Sequence, residues 1–240
     1  MSITTIQKSY LNISRHCSII ASALLFSWVV TLFMLPVKSI YYEISALQAT
    51  TFLNSLWLFL FHHFSFILAC VFLVPLVLLF YIFAREHNKG LVGFMSVLCL
   101  IGLAFGACGQ LILFVTHASF ISNPILLNEV GTGILLTSQL IAKVFGSLYL
   151  MLIGLWLMVN SALSFSNKQF PQVLVLLGFF TGASSILIVL NQLFFSSSFA
   201  SFLFTMYTLL LLVWITWEST FLHSLYTKNE KNNNTPQQKV

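Results

Sequence analysis

Six runs of apolar residues, each about as long as a bilayer is thick, decide what this chain can fold into. They cover residues 17–36, about 56–84, 91 to about 115, a stretch within 131–163, 173–195 and 199–217, and polar clusters bound each of them. A hydrocarbon core about 30 Å thick takes about 20 helical residues at 1.5 Å rise. The runs are continuous rather than alternating, and a barrel strand would be about half as long, which argues against strands. Helices close their own backbone hydrogen bonds, as lipid requires. Composition agrees: 59 % of the 240 residues are hydrophobic, 25 are Phe and only 6 % are charged, against roughly 25 % charged in a soluble domain. The expected fold class is all-α, a polytopic membrane bundle of six transmembrane helices over residues 1–226, followed by a disordered cytoplasmic tail over 227–240.

Lysine and arginine set the orientation. With the N-terminus inside, Lys8, Arg15, Arg85, Lys89, Lys168, Lys228, Lys231 and Lys239 all face the cytoplasm, eight of the ten basic residues. Lys38 falls in an outer loop and Lys143 in the fourth span. The expectation is N-in and C-in, and the net charge of +5 then reflects topology and not nucleic acid. The apolar stretch of the first span is longer than a signal-peptide core, and no small-x-small cleavage site follows Pro36, so it reads as a retained span. Cys17, Cys70, Cys99 and Cys108 sit in or at the edges of spans with no C-x-x-C, as small buried apolar residues. No phosphate loop, H-E-x-x-H or metal-ligand motif is present, and no cofactor is expected. The connections 85–90 and 166–171 are short, so the second and third spans, and the fourth and fifth, should form antiparallel pairs. The two three-span halves share no residue pattern, which argues against an inverted repeat.

The strings VLLFYIFAREHNKGLVGF, residues 77–94, and KVFGSLYLMLIGLWLMVNSALSFSNKQFPQVLVLLGFFTGASSIL, residues 143–187, resemble a bacterial family of six-span membrane proteins. That family is catalogued as a domain of unknown function, number four-three-eight-six. The resemblance rests on Val144-Phe145-Gly146 at the fourth span, on Pro171 followed by Gly178 and Gly182, and on the W-I-T-W of the sixth span. It covers most of the chain and implies a topology and a bacterial inner membrane. It brings no catalytic residues.

Polar residues inside spans are costly, so their positions are informative. Thr132, Gln139, Lys143, Gly146, Gly154 and Ser161 share a stripe of the fourth helix. Gly102, Gly106, Gln110 and His117 do so on the third, and Gly178, Gly182, Ser185 and Gln192 on the fifth. Small residues at such spacing read first as helix packing, with oligomerisation through the Gly-rich faces as an alternative. In the N-in topology His62 and His63 lie about 10 Å in from the outer end of the second span. Gln110 is at similar depth, Gln139 and Lys143 are in the outer half of the fourth span, and Asn191 and Gln192 are near the outer end of the fifth. Lys143 would either snorkel outward or face an aqueous pocket, with Glu43 able to approach it. Glu218, beside Trp214 and Trp217, reads as interfacial rather than as a proton carrier.

Neighbours on a helix point about 100° apart, so His62 and His63 cannot easily share one metal ion. His63 shares a face with Cys70, and His62 one with Ser55 and Ala69. With His117 and Glu43 they would form a thin zinc or iron constellation; haem lacks a facing axial histidine at matched depth. A serine protease lacks a histidine to pair with Ser184 or Ser185. The leading expectation is therefore binding or permeation of a small or lipid-like ligand through an outer-leaflet pocket. Its expected lining is His62, His63, Gln110, Gln139, Lys143, Asn191 and Gln192. The alternatives are a metal-dependent membrane enzyme using His62 or His63 with His117, and a structural or stabilising subunit of a membrane complex. Apart from such a ligand or complex, the lipid bilayer is the expected partner.

Overall fold

The computed structural model describes residues 5–35, 46–122, 129–165, 171–194 and 199–234. All of the regular structure in them is helical: α1 (Thr5–Met34), α2 (Ala46–Ser122), α3 (Glu129–Ser164), α4 (Gln172–Phe194) and α5 (Phe199–Asn234). Five stretches are long and apolar enough to cross a membrane, namely Ser9–Met34, Trp57–Ile82, Asn88–Phe120, Gly133–Ser164 and Gln172–Gln192. The sixth apolar segment, Phe202–Glu218, is shorter. Glu43, Lys38, Lys168 and Lys239 lie outside the described residues. The segment from Thr227, expected to lack structure, continues α5 as far as Asn234.

Helix α2 is two arms joined at Asn88, whose extended backbone (φ −157°, ψ 89°) interrupts the helix. The Asn88 side-chain oxygen accepts the backbone N–H of Leu91 at 3.1 Å, so Asn88 caps the second arm and satisfies one of its orphan donors. The helices then pack in a closed sequence: α1 on α2, α2 on α3, α3 on α4, α4 on α5, and α5 back on α1.

Polarity is distributed as in a helix bundle surrounded by lipid. Large apolar side chains face outward on every helix, among them Phe33, Trp57, Phe94, Leu140, Phe180 and Phe202. Many polar ones are buried, among them Ser14, Ser18, Thr31, Ser65, Ser138 and Thr181. Most of them, though not Ser18, bond locally or across seams. The Thr181 hydroxyl donates to the Leu177 carbonyl at 2.7 Å, that of Ser14 on α1 to the Pro75 carbonyl of α2 at 2.9 Å, and that of Ser185 on α4 to the Leu150 carbonyl of α3 at 2.5 Å. Such bonds keep buried polar groups satisfied where no water can serve.

Three of the stripe glycines, Gly106, Gly154 and Gly182, sit at close contacts between helices. A Cβ on Gly182 would meet the Gly154 carbonyl oxygen at 2.5 Å, and one on Gly154 would meet that of Gly182 at 2.9 Å. Helices α3 and α4 therefore cross with backbones touching, a distance only glycine allows. A Cβ on Gly106 would meet the Tyr149 ring at 2.6 Å, which fits α2 to α3. All four cysteines are free. Glu218, expected at the interface, is 1 % exposed, because side chains of α3 and α4 close over it.

Candidate functional site

His62 and His63 are both buried in the first arm of α2, and they turn to different helices. The His62 Nδ1–H points at α1, donating to Thr31 Oγ1 at 3.0 Å and to the Trp28 carbonyl at 3.2 Å. The carbonyl is in reach because Thr31 lies one turn along, where its own hydroxyl bonds back to the carbonyl of Ser27 or Trp28, each at 2.9 Å. The imidazole also stacks on the Trp28 indole, centroids 5.3 Å apart and planes 24° from parallel.

His63 faces the second arm of the same helix. Gln110 and His117 are seven residues apart there, two turns on one face, and His63 fits between them. Its Nδ1 is 2.5 Å from Gln110 Oε1, and its Nε2 is 3.1 Å from His117 Nδ1. The amide oxygen can only accept, so Nδ1 of His63 carries the proton. Nε2 is then an acceptor, and His117 Nδ1–H donates to it. The two imidazoles are nearly parallel, 7° apart, with Phe59 tilted against His117 at 5.1 Å. The result is a directed chain, His117 to His63 to Gln110, running from the Ser122 end of α2 toward the cavity that Gln110 lines.

Gln110 is where that chain meets open space. A cavity of about 80 Å³ lies among α1, both arms of α2, α3 and α5. Its walls are Leu25, Trp28, Val29, Phe66, Gly106, Gly109, Ala142, Gly146, Tyr149, Leu150, Phe204, Tyr207, Thr208 and Leu211, with Gln110. That is about half the volume of a cavity that admits benzene, roughly 150 Å³. The wall is mostly apolar, and its polar groups are placed around it. Tyr207 donates its hydroxyl to that of Tyr149 at 3.3 Å, and Thr208 donates to the Phe204 carbonyl at 2.6 Å. Trp28 Nε1–H is buried with no hydrogen-bond partner among the described residues. The Gln110 oxygen is taken by His63 and its NH2 makes no hydrogen bond to the described residues. The wall's uncommitted groups are thus N–H donors, which suit a ligand that accepts.

Of the seven expected lining residues, His62, His63 and Gln110 come together, with His117 added, and Gln110 alone among them lines the cavity. His62 and His63 stand behind the wall and hold Trp28 and Gln110. Lys143 is exposed and Gln139 half-buried on α3, and neither lines the cavity. Gln192 accepts the Ser147 hydroxyl at 3.1 Å in the α3–α4 seam, and Asn191 is buried on α4. Trp28, Tyr149 and Tyr207 were not expected at the site. Their polar tips sit on apolar-looking aromatics, and only the crowding of four helices around one level brings them into view. Among the described residues no group of three or more His, Cys, Asp or Glu is arranged to hold a metal ion. Comparisons of the chain with family models, with curated proteins and with solved structures find no match.

Proposed function

We propose that the chain is a six-span protein of a bacterial inner membrane, N-in and C-in, that binds a small or lipid-like ligand in the cavity beside Gln110. One observation carries this reading: the cavity's uncommitted polar groups, Trp28 Nε1–H and the Gln110 NH2, are both donors. A ligand with a carbonyl-type oxygen on an otherwise apolar body, a small molecule or a lipid ester, meets both demands. It would pair the half-buried Gln110 NH2 and the buried Trp28 Nε1–H, which has no partner among the described residues, a shortfall worth about 1–3 kcal/mol for a buried donor. His63 supports the reading as a positioning residue, since its bond to Oε1 turns the amide's donor end toward the cavity. Lys143 and Gln192 then serve the lipid interface and the α3–α4 seam.

Native mass spectrometry of the purified protein tests this. Gly146 lines the cavity, and a Cβ there meets nothing within 4 Å, so Gly146→Leu fills the space without striking backbone. Gln110→Leu removes the donor. Retained adduct should fall about tenfold or more in each variant, matching about 1.4 kcal/mol of lost binding. Identical adducts in wild type and both variants would overturn the proposal.

A further inference from the structure

A second buried polar cluster lies about 25 Å along α2 from His63, counting 1.5 Å per residue to Phe80. Glu218 of α5 is 1 % exposed, and Asn160 and Trp156 of α3 are 3 % exposed. The three share a cavity of about 10 Å³. Glu218 Oε2, Asn160 Oδ1 and Trp156 Nε1–H are all buried without a hydrogen-bond partner among the described residues. The Asn160 amide cannot turn its NH2 inward freely, because that end donates to the Trp156 carbonyl at 2.9 Å. Two acceptor oxygens are therefore left facing one small space.

Among the described residues that line this space, none carries a positive charge to answer the carboxylate. Phe80 from α2 and Trp214 from α5 close the walls, α3 adds the neutral hydroxyls of Ser161 and Ser164, α4 adds only aliphatic side chains, and Glu218 is the one titratable group among the residues lining the space. A bare carboxylate inside a membrane bundle is too costly to persist, so it must carry a proton or hold a cation. The space admits about one water-sized sphere, which rules out an organic cation. A single carboxylate, moreover, balances one charge and falls short of the several that a divalent ion draws. We propose that Glu218 and Asn160 form a site for one small monovalent cation, H⁺ or Na⁺, at the inner end of the bundle. This assignment is independent of the ligand read for the outer cavity.

Infrared difference spectroscopy on the full chain in nanodiscs tests it, with pH raised in choline chloride and again in sodium chloride. Wild type should lose a protonated-carboxyl stretch as pH rises. That band should be missing from Glu218→Gln, which keeps the shape of the side chain, and displaced in frequency in Glu218→Asp. The chain has five Glu and no Asp, so an aspartyl band has a single source and serves even if the Gln variant does not fold. Loss of the band at lower pH in sodium than in choline identifies Na⁺ as a competitor for the same oxygens, and coincident curves identify the proton as the occupant. Spectra that are the same in wild type and in every folded variant across the pH range would overturn the assignment.

Discussion

Because His63 is bonded on both sides, removing it takes the hydrogen-bond partner from the Gln110 oxygen and one partner from His117. His63→Leu should lower unfolding stability in detergent by about 1–3 kcal/mol. In the His63→Leu, Gln110→Leu double variant the loss should be smaller than the sum of the two single losses, because one orphan is removed with its partner. Thr31→Val should cost less, since the Trp28 carbonyl still accepts from His62. Purified variants compared by denaturant titration give all four numbers. What the sequence made legible at this scale was depth: counting residues from the outer end puts His63 and Gln110 level. Partners were not legible, because which way each imidazole turns depends on helices far away in the chain. Glu218 was hidden for the same reason. A glutamate that follows two tryptophans at a span end looks interfacial until α3 and α4 are folded over it.

Between elements, the α3–α4 crossing is set by two glycines whose backbones touch. Gly182→Ala drives a methyl into the Gly154 carbonyl and the Met158 backbone, and should cost about 1–3 kcal/mol by overpacking. Gly146→Ala, with open space around its Cβ, should be neutral or stabilising by up to about 1 kcal/mol through helix propensity. Thermal unfolding of the pair checks the contrast. Spacing alone cannot separate these glycines, since both sit on the same kind of polar stripe, and Gly178-x-x-x-Gly182 reads equally well as a dimer face. The turn at Asn88 was readable, because a short polar string between two apolar runs leaves the chain nowhere to go but back.

For the whole molecule, the apolar runs located the helices, since lipid leaves no other way to satisfy the backbone, and five of the six expected spans are long and apolar enough to cross a membrane. The closed packing order was not predictable, because the sequence does not say which apolar faces meet. The proposed N-in and C-in orientation is checked by reporters fused after Val240: a fluorescent protein should be bright there, and a phosphatase that works only outside the cytoplasm should be inactive. The meeting of α5 with α1 has a consequence for how the protein is made. Phe204, Tyr207, Thr208 and Leu211 wall the cavity beside Gln110, and Trp214 and Glu218 the one beside Asn160, so α5, made after the other four helices, supplies a side to each. Until it inserts, α1 waits with its seam facing lipid, and both chambers stand open. A nascent chain stalled before residue 199 would thus display its buried polar groups to the bilayer, a mark by which quality control can tell an unfinished copy from a finished one.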